Sequence, residues 1–78
     1  MIWNVKKTEE SEKSITIGFS KNLLFDGVIE FHKNDERFEV ISHANDCDEF
    51  ETTRLFQFLY TLIHRNTLSF KPYSIRIG

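Results

Sequence analysis

The chain has 78 residues, a formal net charge of −2 and 14% aromatic side chains, eight of them Phe. That length makes a single domain, residues 1–78, whose core is small, because a chain of this size buries only about 60% of the surface it exposes when unfolded. A lone cysteine, Cys47, excludes an intrachain disulfide and a cysteine-built zinc site, and dispersed charge of both signs argues against a polyanion partner.

Residues 1–7 read as a first strand with Trp3 and Val5 on one face, followed by a wholly polar loop over residues 8–13. The alternation of Ile15, Ile17 and Phe19 with Thr16, Gly18 and Ser20 predicts a half-buried strand over residues 14–20. A turn at residues 20–22 leads to a hairpin in which residues 25–32 and 37–43 flank Lys33-Asn34-Asp35-Glu36. Asn34 and Asp35 suit a two-residue primed turn, and a four-residue loop from Lys33 to Glu36 gives the same pairing. That register opposes His32 to Arg37, Phe31 to Phe38, Glu30 to Glu39, Ile29 to Val40, and Val28 to Ile41. Phe25, Gly27, Ile29, Phe31, Phe38 and Val40 then share a core face; a slip of one residue would expose the Phe cluster.

Beyond position 45 the apolar period lengthens to that of a helix. Leu55, Phe56, Leu59, Leu62 and Ile63 fall in one arc, with Phe58 and Tyr60 at its edges and Arg54, Gln57, Thr61, His64 and Arg65 opposite. Asn45, Asp46 or Asp48 can cap the start, and Asn66 suits a left-handed stop. Phe50 points away from the stripe. After Pro72, the alternation of Tyr73, Ile75 and Ile77 predicts a last strand, pairing either parallel through a crossover or antiparallel at an edge. The expected fold is α+β: a small, mostly antiparallel sheet in the order β-β-β-β-α-β, with one amphipathic helix on one face.

No motif for catalysis, a metal, a nucleotide or a nucleic acid stands out, so no catalytic or cofactor-binding residue is assigned and no cofactor is expected. One polar surface gathers metal-ligand and acid–base residue types: Glu30, Glu39, His32 and His43, with Asp26 facing His43. Arg37 can neutralise the opposed glutamates on what is otherwise an ordinary wet strand face. Cys47 lies between two aspartates with no nearby base and reads as an incidental loop cysteine. Lys6, Lys7, Lys13 and Lys21 offer a thin case for nucleic acid, which Glu9, Glu10 and Glu12 largely cancel.

The stronger signal is surplus apolar surface. Val28 and Ile41 on the open sheet face, with Phe50, Phe58, Tyr60 and Phe70, exceed what one helix on one sheet needs to cover. The sequence therefore predicts a non-enzymatic interaction or accessory module that pairs through a sheet edge or through aromatics beside the helix. Its partner is a second copy, as a homodimer, or another protein. With no leader-like start and no membrane-spanning run, a cytoplasmic protein is expected, and the Lys, Asn, Ile and Phe content suits an AT-rich bacterial genome.

Overall fold

The computed structural model describes residues 2–76. Five strands and one helix follow in order: β1 (Ile2–Glu10), β2 (Ser14–Ser20), β3 (Gly27–His32), β4 (Arg37–Ser42), α1 (Glu49–His64) and β5 (Tyr73–Arg76). The strands form one antiparallel sheet in the order β4-β3-β2-β1-β5. The fold is the α+β arrangement the spacing predicts. β5 takes the second of the two pairings left open, lying antiparallel beside β1 with Trp3 opposite Ile75 and Val5 opposite Tyr73. Ile77, expected in the same strand, lies outside the described residues.

Strand alternation sends Trp3, Val5, Ile15, Ile17, Phe19, Ile29, Phe31 and Ile75 to one face, all buried. The helix covers that face with Leu55, Leu59 and Leu62 at its centre. Aromatic rings seal the two flanks. Phe56 stacks on Phe38 at a centroid distance of 5.0 Å near the β4 edge, and Phe58 tilts against Trp3 at 6.0 Å toward β5. Of the three candidate caps, Asp48 is the one used. Its carboxylate accepts from the Glu51 amide at 2.7 Å, and Glu51 accepts from the Asp48 amide at 3.2 Å, a reciprocal capping box. Asn66, at φ 57°, supplies the expected left-handed stop.

Three local expectations are corrected and one open alternative is decided. β1 runs on to Glu10 because a bulge between Lys7 and Glu9 keeps Glu9 and Glu10 paired with β2. The hairpin uses the four-residue loop: only Glu36 has positive φ there, whereas a primed two-residue turn needs it at both central positions. Phe25 leaves the core face of β3, since at φ 52° it turns out of the strand, half-buried, with the Lys6 ammonium 4.5 Å from its ring centre. Finally, Val28 pairs with Ser42 rather than Ile41, because a bulge interrupts the register between Val28 and Ile29.

Candidate functional site

The helix-free face of the sheet is polar, and part of it is roofed by residues 21–26. The Asn4 amide donates to the Lys21 carbonyl at 2.9 Å and accepts from the Ser74 hydroxyl at 2.9 Å. Asp46 accepts from the Lys21 and Asn22 amides. Burial pushes its carboxyl up, but those amides and the Cys47 thiol outweigh it and hold the pKa below the ordinary value. Cys47 is buried, and loss of solvation together with Asp46 pushes its thiol up to about 12, so it stays protonated and unreactive near neutral pH.

Farther along the same face, the hairpin brings Glu30, His32 and Glu39 together. Glu30 and His32 are two apart on β3, so they share a face, and Glu39 is directly opposite Glu30 on β4. His32 Nε2 lies 2.9 Å from Glu39 Oε1 and 3.2 Å from Glu30 Oε1, and one ligand atom from each residue falls within 4.8 Å of the others. Arg37 plays a smaller part than the sequence suggests: its Nη1 is 3.9 Å from Glu39, while its Nε faces Asp35 at 3.3 Å. His43 does not join. The bulge gives Ser42 the place opposite Val28, so the strand leaves the expected register before His43. Asp26, expected to face His43, instead accepts from the Asn45 amide at 3.0 Å.

The β1 bulge has its own consequence. It turns Glu10 to the helix side, opposite Ile15, where Lys7 Nζ at 2.7 Å and Lys33 Nζ at 2.9 Å share its carboxylate. A cavity of about 180 Å³ there is lined by these charges and by Ile15, Phe31, Ile63 and Leu68. Hydrogen bonds from Lys7, then Lys33, lower the Glu10 pKa to about 2. A depressed carboxylate pKa contributes stability that is complete above the unfolded value of 4.5 and is lost as pH falls toward 2. Glu10→Gln is therefore expected to lower Tm at pH 7 by an amount worth at most about 1 kcal/mol for so exposed a network. The gap between the two proteins should close on acidification to pH 2, as followed by circular dichroism.

The six apolar residues singled out from the sequence lie in different places. Val28 is half-buried on the open face, and Ile41 sits at the β4 bulge, 55% exposed. Phe58 packs against Trp3, Tyr60 lies against the His64 ring at a centroid distance of 4.2 Å, and Phe70 lies under the Lys7 ammonium. Phe50 stands out from the first turn of α1, 74% exposed. Sequence reasoning missed Leu23 and Leu24, 69% and 72% exposed in the roofing loop; two adjacent leucines after a turn, outside either apolar period, were their signal. It also missed a groove of about 350 Å³ between α1 and the β5 edge, lined by Phe58, Thr61, Leu62 and the four residues of β5.

Comparison of the chain with protein-family models, curated proteins and solved structures gives no match. No helix among the described residues is long and apolar enough to cross a membrane.

Proposed function

We propose that this chain is a protein-interaction module that self-associates by strand addition at β5. One observation carries the reading: β5 is an edge strand with unbroken register, and an apolar groove runs between it and α1. An edge strand presents unpaired amides and carbonyls to any extended segment, and a neighbouring groove takes that segment's alternate side chains. The opposite edge is less inviting. β4 carries Arg37, Glu39 and the bulge beside Ile41, devices that discourage edge pairing.

The occupant that fits is a second copy. Antiparallel pairing about a two-fold axis at Ser74 sets Tyr73 opposite Ile75 of the other copy on the helix side, and Ser74 opposite Ser74 on the other side. Apolar meets apolar, and Arg76 falls opposite Pro72 rather than another cation. Tyr73, 40% exposed in the single chain, becomes covered. Oligomerisation is also a common remedy for a small core.

Sedimentation velocity across a concentration series tests this. The wild type should move from monomer to dimer, and Ser74→Lys, which brings two ammonium groups together at the axis, should stay monomeric with an unchanged far-UV spectrum. A wild type that is monomeric throughout, or a Ser74→Lys variant that dimerises equally well, would overturn the proposal.

A further inference from the structure

We infer that Glu30, His32 and Glu39 form a binding site for a divalent transition-metal ion of the zinc type, independent of the β5 edge. The three residues supply one nitrogen and two carboxylate oxygens, and two ligands two apart on one strand plus a third from the neighbouring strand converge on one point above the sheet. The distances suit that ion. Tetrahedral zinc with bonds of about 2.0–2.1 Å holds its ligand atoms about 3.3 Å apart. His32 Nε2 is 3.2 Å from the Glu30 oxygen and 2.9 Å from the Glu39 oxygen, close to that spacing, and all three ligand atoms lie within 4.8 Å of one another.

Electrostatics favour a cation in the same place. Two glutamates directly opposed across a strand pair repel, an arrangement sheets usually avoid. Glu9 and Thr16 continue the row across β2 and β1, adding a third carboxylate to the same line of the face. Arg37 is drawn toward Asp35, so its cation does not sit between Glu30 and Glu39. Two carboxylates balance the charge of a divalent ion, and the imidazole nitrogen selects zinc-like metals over magnesium and calcium, which take oxygen ligands.

Titration calorimetry of chelator-treated protein with zinc chloride tests the site, together with imidazole NMR of the same sample. The expected result is one zinc per chain, with the His32 ring signals moved and those of His43 and His64 unchanged. His32→Ala, Glu30→Gln and Glu39→Gln should each weaken zinc binding by more than about tenfold, while His43→Ala leaves it unaltered. All three side chains are partly exposed on strand surfaces, so the substitutions spare the core. If a variant fails to fold, the NMR map of the wild type decides alone. No stoichiometric zinc, zinc that shifts His43 or His64 instead, or folded variants that bind as tightly as the wild type would overturn the inference.

Discussion

Trp3→Ala is expected to remove a large share of the fold's stability. Trp3 is fully buried and heads the largest side chains of the core. It sits on β1 opposite Ile75 and against the Phe58 ring, so it ties β5, β1 and the helix together. Removing so large a buried aromatic costs about 3–5 kcal/mol. A domain of this length has only about 4–12 kcal/mol of stability in total. The loss should also fall unevenly, because β5 is four residues long and holds to the sheet through β1 alone. Trp3→Phe is the informative partner variant. It keeps a ring for Phe58 and removes an indole N–H that has no acceptor among the described residues, so it should cost clearly less. Urea denaturation followed by far-UV circular dichroism gives both values. A Trp3→Ala protein within about 1 kcal/mol of wild type would mean that β5 is not held as the sheet shows.

Much of this architecture was legible because two periodicities dominate it. Ile15, Ile17 and Phe19 alternate strictly, and Leu55, Leu59 and Leu62 repeat at helical spacing, so burial alone dictates which faces meet. The hairpin register from Ile29 to His32 was legible too, since Phe31 had to meet Phe38, and with it came the Glu30–Glu39 pair. Sequence reading failed where one inserted residue changes the count. The bulge near Thr8 turns Glu10 inward to Lys7 and Lys33, and the bulge beside Ile41 takes the strand out of register before His43. Bulges are chosen by how neighbouring strands twist and pack, which no local pattern at Thr8 or Ile41 announces. The groove beside β5 was hidden for a related reason. Tyr73 and Ile75 alternate equally well in either pairing, and what selects β1 is a free edge plus the Lys7 amide bonded to the Ser69 carbonyl in the preceding loop.

Gly27→Ala carries the second large effect, and its origin is separable from backbone preference. Gly27 opens β3 directly opposite Phe19, and a Cβ built there would stand 2.5 Å from two carbons of the Phe19 ring and 2.8 Å from a third. Carbon atoms do not approach so closely, so something must move. Phe19 is fully buried, with Val5 directly opposite on its other side, and has no open direction in which to swing. Overpacking of this kind costs about 1–3 kcal/mol, although alanine is otherwise at least as good as glycine in a strand. Gly18→Ala makes the control. Its Cβ would meet Phe25 and Thr8 at 3.4 Å, ordinary contact, so that variant should hold or slightly gain stability. If the Phe19 ring is the obstacle, shortening it must relieve the clash. Phe19→Leu alone should lose stability through the void it leaves, yet Gly27→Ala added to Phe19→Leu should cost far less than in the wild type. The coupling should reach about 1 kcal/mol or more, read as midpoint shifts in urea at constant m. Additive losses would show that the glycine is required by the strand itself, and that the Phe19 ring does not fill the space a side chain at position 27 would take.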